Sequence, residues 1–268
     1  MLVNKLVYEK KSVVNQYNSE LITPPEIYLM KKYDSYIRKK VLDIGIGAGR
    51  TTSFILPISA QYYGIDYSDN MVQFAQSRFP NAWIKQYDAR DLSCFENSTF
   101  DFVLFSFNGI DCVGHNDRLK IFSEIQRVLK TDGLFMFSSH NRDFKGNIVS
   151  DQFAGGGKII TKLLNNLTSP ANLIRKAGIH LRCAINRKKL KIHELNCDEY
   201  AILNDGDQEF STLYYYIDVK HQKIQLERFG LEMIEIVSCE GQSLPLGSIC
   251  KNSPWLYYMA SNFCQPKG

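Results

Sequence analysis

Val41-Leu42-Asp43-Ile44-Gly45-Ile46-Gly47-Ala48-Gly49-Arg50-Thr51-Thr52 sets three glycines on alternate positions directly after a short apolar run. The run reads as a strand buried on both faces, the glycines as the turn after it, and Thr51 onward as a short helix to Ile58. The pattern recurs downstream. Tyr62-Tyr63-Gly64-Ile65-Asp66 ends on an acid, and so does Ile84-Lys85-Gln86-Tyr87-Asp88. Asp43, Asp66 and Asp88 therefore lie one strand-plus-helix unit apart. In an open parallel α/β sheet, ligands bind beyond the carboxyl ends of the strands, so these three carboxylates are expected to share one crevice.

The glycine spacing narrows the ligand. A dinucleotide loop reads G-x-G-x-x-G, its third glycine letting a helix amino terminus face a pyrophosphate. Here the spacing is G-x-G-x-G, with Arg50 standing where that third glycine would be. A bulky cation there argues against NAD or FAD. The segment resembles motif I of the class I S-adenosylmethionine-dependent methyltransferases, closely over residues 41–139 and loosely elsewhere.

That resemblance implies S-adenosyl-L-methionine as cofactor, held by Asp43, Gly45, Gly47, Gly49, Arg50, Asp66, Tyr67, Met71, Asp88, Ala89, Ser106 and Phe107. In it, Asp66 accepts from both ribose hydroxyls, as a carboxylate with two acceptor oxygens and no donor can. Asp88 accepts from the adenine amino group, with the Ala89 backbone beside the ring.

The rest of the chain continues the alternation. Ser68 caps a helix through Phe79; Phe100 to Phe107 is a nearly all-apolar strand; Phe122, Ile125, Val128 and Leu129 keep helical spacing up to a Thr131-Asp132-Gly133 turn; and Leu134 to Ser139 is a fifth strand. Five βα units with right-handed crossovers give a doubly wound, mainly parallel sheet. Tyr214-Tyr215-Tyr216 reads as a strand within Ser211 to Ile217. Val219 to Phe229 reads as a helix ended by Gly230. Two closing runs, Leu231 to Val237 and Trp255 to Ala260, look like strands six and seven of the resembled family's Rossmann-like sheet, the last antiparallel.

A single domain of 1–268 is expected: a helical cap over 1–40 with a helix begun by Thr23-Pro24-Pro25-Glu26, a cofactor-binding core over 41–140, a helical lid insertion over 141–207, and the end of the sheet over 208–268. The insertion opens on Gly155-Gly156-Gly157, which reads as a hinge, and then runs basic up to Glu194.

Composition excludes several classes. A net charge of +4 is too mild to indicate nucleic acid by itself. Seven cysteines without a C-x-x-C pair read as reduced thiols rather than a disulfide frame or zinc site. No run is long and apolar enough to span a bilayer, and the expected compartment is the cytoplasm. Asp111, His115 and Asp117 match no ligand spacing, so no metal is expected. An Asp/Asn-Pro-Pro-aromatic run after strand four, which the resemblance ties to exocyclic amino groups of nucleobases, is absent, and DNA is not expected as substrate.

The acceptor site should gather residues just past strands four and five. His140 is the candidate general base, with Asp143 near enough in sequence to orient it. Tyr17, Asn108, Asp111, Asn141 and Tyr215 are candidate acceptor contacts; Tyr8 and Tyr17 are each read first as tyrosines packing a surface helix, with contact to the cofactor's methionine end the alternative that the resemblance suggests. The acceptor is read as a small molecule, with a sugar-type or natural-product hydroxyl leading. A small amine and an RNA remain open, as does a phosphate-bearing acceptor for the basic insertion.

Overall fold

The computed structural model describes Asn4 and residues 7–9, 21–146 and 170–262; of residues 170–177 and Asp207, the backbone alone is described. The strands are β1 Lys40–Ile44, β2 Gln61–Asp66, β3 Trp83–Gln86, β4 Phe100–Phe105, β5 Leu129–Asn141, β6 Leu195–Asn196, β7 Tyr200–Leu203, β8 Tyr214–Ile217, β9 Leu231–Ser238, β10 Ser243–Leu244 and β11 Trp255–Asn262. The helices are α1 Pro24–Lys32, α2 Asp34–Ile37, α3 Thr52–Ile55, α4 Asp69–Arg78, α5 His115–Val128, α6 Pro170–Leu190 and α7 Val219–Glu227.

Seven long strands stand in the order β9-β11-β5-β4-β1-β2-β3, with β10 beyond β9. β1 pairs in parallel with both β2 and β4, so the winding direction reverses between β1 and β4. That switch point is where an open α/β sheet leaves a crevice. β11 runs antiparallel to both β5 and β9, as expected for the closing strand.

Each face of the sheet is sealed by a separate apolar layer. Leu29, Ile37, Ile55, Val72 and Ala75 of α1 to α4 cover one; Ile121, Phe122, Ile125, Val219 and Leu226 of α5 and α7 cover the other. The central strands are apolar on both sides for that reason: Phe102 and Leu104 belong to the first layer, Val103 and Phe105 to the second.

Three strand boundaries are corrected, the first being the fourth strand, which stops at Phe105 and does not reach Phe107. The fifth strand starts at Leu129, because Thr131-Asp132-Gly133 is an irregularity inside β5 rather than a turn before it. Asp132 takes φ 60°, and the register against β4 shifts between Phe100 and Phe102. The third strand stops at Gln86 and does not reach Asp88.

The insertion is only partly helical. The Gly155 triplet and the apolar residues Ile159 to Leu167 lie outside the described residues, and α6 is one 21-residue helix. Beyond it, β6, β7 and β8 form an antiparallel ribbon whose β8 pairs in parallel with His140 and Asn141 of β5. Tyr200-Ala201-Ile202-Leu203 was a strand signal that the basic run beside it obscured. No described helix is long and apolar enough to cross a membrane.

Candidate active site

A cleft of about 890 Å³, open mouth included, lies at the switch point. Ile44, Gly45, Ile46, Gly47 and Ala48 form one wall, Asp66, Tyr67 and Met71 a second, and Ser106, Phe107 and Gly109 a third. Tyr8 closes it from the amino-terminal segment, and Tyr87 and Ala89 stand at its far end. Gly47 has φ +54°, and a Cβ there would meet no atom within 4 Å. The backbone at Gly47 thus faces space that a side chain would occupy.

The carboxylates divide into three environments. Asp66 is buried at the end of β2. Its Oδ2 accepts from the Gly47 backbone N–H at 2.9 Å and its Oδ1 from that of Ser68 at 2.9 Å. Burial raises its pKa to about 6 despite those donors. Asp43 is buried more deeply, its Oδ2 accepting from Thr51 Oγ1 at 2.6 Å and the Tyr62 hydroxyl at 2.8 Å. Desolvation carries its pKa to about 7, with those two hydroxyls acting against it.

Asp88 stands outside the walls of the cleft, although Tyr87 and Ala89 on either side of it lie in them. With β3 ending two residues earlier, its half-exposed carboxylate turns to Arg90, accepting from Nε at 2.9 Å and Nη2 at 2.5 Å.

Arg50 reaches the cleft with its guanidinium held by a residue of α1. Glu26, fully buried, accepts from Arg50 Nη1 at 2.6 Å and Nη2 at 2.7 Å, from the Thr23 backbone N–H at 2.7 Å, and from Ser106 Oγ. Burial pushes the Glu26 pKa up, but Arg50 and Ser106 outweigh it and hold the group below its ordinary value. Ser106 also bonds the Tyr257 hydroxyl at 3.0 Å. Glu26 did not stand out in the sequence beyond its place in the Thr23-x-x-Glu26 helix start. That pattern fixes a cap and says nothing of a long-range partner.

His140, at the end of β5, is buried. Both its backbone N–H and its Nδ1 lie 2.7 Å from Asp111 Oδ2. Asp111 Oδ1 accepts from Arg118 Nη1 at 2.5 Å and Ser139 Oγ at 2.7 Å. Asp111, not Asp143, is therefore the partner of the ring, because β5 and the turn after β4 end side by side. Asp143 lies beyond the strand and its backbone N–H bonds Asn141 Oδ1.

The Nε2 atom faces Asn108, 3.4 Å from Nδ2, and Asn108 Oδ1 is buried with no hydrogen-bond partner among the described residues. Asn108 takes the left-handed conformation at φ 58°, with its backbone N–H on Ser138 Oγ at 2.7 Å. His140 is not itself among the residues lining the cleft; Phe107 and Gly109, on either side of Asn108, are.

The remaining acceptor candidates separate. Asn141 is a structural anchor, donating through Nδ2 to the carbonyls of Cys250 and Ser253. Tyr215 faces away from His140: it is fully buried, its hydroxyl meets Gln225 Nε2 and His115 Nδ1, and its ring lies under the Arg118 guanidinium. The alternation of β8 instead brings Tyr214 and Tyr216 to either side of the His140 ring, with centroids 5.1 and 4.9 Å away. The Tyr214 hydroxyl bonds that of Tyr8 at 2.7 Å. Tyr17 lies outside the described residues. Asp111, His115 and Asp117 point to different partners, Arg118, Tyr215 and Arg90 respectively.

Residues 41–133 match a family model described as a methyltransferase domain. The uncharacterized methyltransferase YcgJ of Bacillus subtilis is 31% identical over 119 residues, 42% of this chain and 45% of that protein. The probable S-adenosylmethionine-dependent methyltransferase CRG1 of Saccharomyces cerevisiae is 26% identical over 117 residues, 40% of this chain and 37% of that one. The chain spans about half the length of the curated relatives it matches.

Among solved structures, an S-adenosylmethionine-dependent methyltransferase from Clostridium acetobutylicum superposes with a TM-score of 0.57 at 13% identity, covering 96% of this chain and 97% of that one. The CcbJ methyltransferase from Streptomyces caelestis gives 0.57 at 12%, covering 94% and 96%. The chain thus has the fold of the class I S-adenosylmethionine-dependent methyltransferases with a methyltransferase domain at residues 41–133, and family and fold imply S-adenosyl-L-methionine as its cofactor.

Proposed function

We propose that this chain transfers a methyl group from S-adenosyl-L-methionine to a hydroxyl of a small molecule. The residues present suit that cofactor. Gly47 leaves backbone open to the cleft where a side chain would intrude, and Asp66 offers acceptors and no donor to a ribose diol. Asp43, Gly45, Gly49, Arg50, Tyr67, Met71, Ala89, Ser106 and Phe107 complete the proposed holding set, with Asp88 at the adenine end. When bound, the cofactor supplies an electrophilic methyl group on a sulfonium.

The hydroxyl reading rests on the His140 ring beside Asn108, whose Nδ2 lies 3.4 Å from Nε2 and whose Oδ1 is buried with no hydrogen-bond partner among the described residues. With Nδ1 on the Asp111 carboxylate, the neutral ring carries its lone pair on Nε2. An aliphatic hydroxyl attacks weakly until a base accepts its proton, and we assign that role to Nε2, which Asn108 Nδ2 faces in the ligand-free protein. Asp111 holds the ring and favours the imidazolium that results, while Arg118 keeps Asp111 in place. Tyr214 and Tyr216 are the aromatic neighbours of that ring and support a sugar-type or flat natural-product acceptor.

His140→Ala is expected to lower turnover ~10²-fold or more with cofactor-product affinity nearly unchanged. Turnover of the parent should fall as pH drops through the histidine's titration, since a protonated ring accepts no proton. Full turnover in the variant, or a flat profile there, would favour the second reading, a small amine that needs no protein base. That reading draws support from the absence of His140 from the cleft walls.

A further inference from the structure

α6 presents two unlike faces. One is seated on the protein: Leu190 packs with Ile202, Leu213, Tyr215 and Ile217, and Asn186 Nδ2 donates to the Glu209 carbonyl at 3.0 Å. Arg182 pairs with Glu209 at 2.7 Å, and the Arg187 guanidinium lies over the Phe210 ring at 5.3 Å. At about 100° per residue, Leu181, Ile185 and Lys188 fall together on the side opposite Asn186 and Leu190. There Leu181 is 63% and Ile185 44% exposed. The chain leaving the helix continues the same composition, with Ile192 80% and Leu195 43% exposed.

Beside this apolar stripe the helix carries cations and no acid: from Gly178 to Leu190 it holds Arg182, Arg187, Lys188 and Lys189 and no Asp or Glu, Lys191 follows, and Glu194, between Ile192 and Leu195, is the first acid after it. Lys188, Lys189 and Lys191 are exposed beside the stripe. Four solvated aliphatic side chains among lysines are more than an ordinary charged helix face requires, and they define what complements them.

A second copy of this chain would set lysine against lysine across a two-fold axis. A nucleic acid would meet the charges but leave the aliphatic groups in water, and residues 178–195 offer no Phe, Tyr or Trp for base stacking. An anionic bilayer meets both features: its headgroups take the lysines, and its acyl boundary takes Leu181 and Ile185.

We propose that the outer face of α6, with Ile192 and Leu195, docks this protein onto an anionic lipid surface. The contact is peripheral, since α6, although 21 residues long, is not apolar enough to span. It is independent of which acceptor the cleft takes.

Flotation of the full chain with vesicles of phosphatidylcholine, alone or with added phosphatidylglycerol, tests it. The protein should float with the mixed vesicles and not with phosphatidylcholine alone, and should be released near 1 M salt, where screening shrinks to about 3 Å. Leu181→Asp with Ile185→Asp, and separately Lys188→Glu with Lys189→Glu, should each lower partitioning roughly tenfold or more. Thermal melting and cofactor-product binding should match the parent in both, because these side chains face solvent. Absence of binding to mixed vesicles would overturn the proposal. So would binding unmoved by either variant, retention by single-stranded RNA in place of vesicles, or a concentration-dependent dimer abolished by the aspartates.

Discussion

Asp43 and Asp66 are the same residue type at the ends of neighbouring strands, yet they are held differently. Two backbone N–H groups cradle Asp66, whereas two side-chain hydroxyls and a cation nearby serve Asp43. Removing Asp66 would leave a diol without its acceptor in a site cut off from water. Asp66→Ala should weaken binding of the cofactor's demethylated product by about 1 to 3 kcal/mol, roughly fivefold to 150-fold, as titration calorimetry would report. Because the Asp66 pKa stands near 6, the parent's affinity should also decline as pH falls through that value, and the variant's should not. For Asp43 the consequence is for folding. A carboxyl with a raised folded pKa favours the fold while protonated and loses that contribution as pH rises from the unfolded value, near 4, through about 7. Asp43→Asn keeps an acceptor for Thr51 and Tyr62 and removes the buried charge. The ligand-free variant should therefore melt above the parent at pH 8 and converge with it near pH 4, and a difference of opposite trend would show that Asp43 is stabilised in its ionised form.

The glycine loop shows how far local pattern carries. Gly45, Gly47 and Gly49 all have positive φ, so the alternate spacing specified a backbone that other residues adopt with strain. What distinguishes them is their surroundings. A Cβ on Gly45 would stand 2.7 Å from the Phe105 ring, and one on Gly47 would project into the cleft. Gly47→Ala should cost about 1 kcal/mol of stability from strain alone, yet weaken cofactor-product binding roughly tenfold; Gly45→Ala should show the reverse balance, read by melting and calorimetry on the same samples. The presence of β1, β2 and β4 was legible for the same reason as the loop: they are short apolar runs with nothing competing for their reading, although β4 stops at Phe105, two residues short of the expected end. The irregularity at Asp132 was not, because Thr-Asp-Gly has the same residues whether it ends a helix or bulges a strand. Nor were β6 and β7, or the pairing of β8 back to β5 across 76 residues of sequence. The His140 site was half legible. Position at a strand end singled out His140 and Asp111 separately, but only the adjacency of β4 and β5 joined them and brought in Arg118, a helix residue with no local signal of burial.

The cleft draws on parts of the chain far apart in sequence. Asn4 donates to the carbonyls of Cys112 and Leu213 and accepts from the Leu213 N–H, so the amino-terminal segment, the turn after β4 and the start of β8 are tied by one side chain. Glu26 ties α1 to the glycine loop and to Ser106. A ligand touching Tyr8, Gly47, Asp66 and Phe107 would thus restrain segments that otherwise rely on a few polar contacts, while β9 and β10 at the far edge of the sheet gain nothing from it. A ligand that binds only the folded chain adds about 2.7 kcal/mol at a hundredfold excess over its dissociation constant. If the whole molecule melted as one unit, that gain would appear as equal slowing of amide exchange wherever exchange needs global unfolding. Local opening changes the expectation. With the cofactor's demethylated product bound, exchange should slow most at residues 21–26, 45–51, 106–112 and 213–216, and least along β9 and β10. Slowing confined to 45–51 would mean that the amino-terminal segment and β8 border the cleft without closing it, and that Glu26 and Asn4 serve the fold alone.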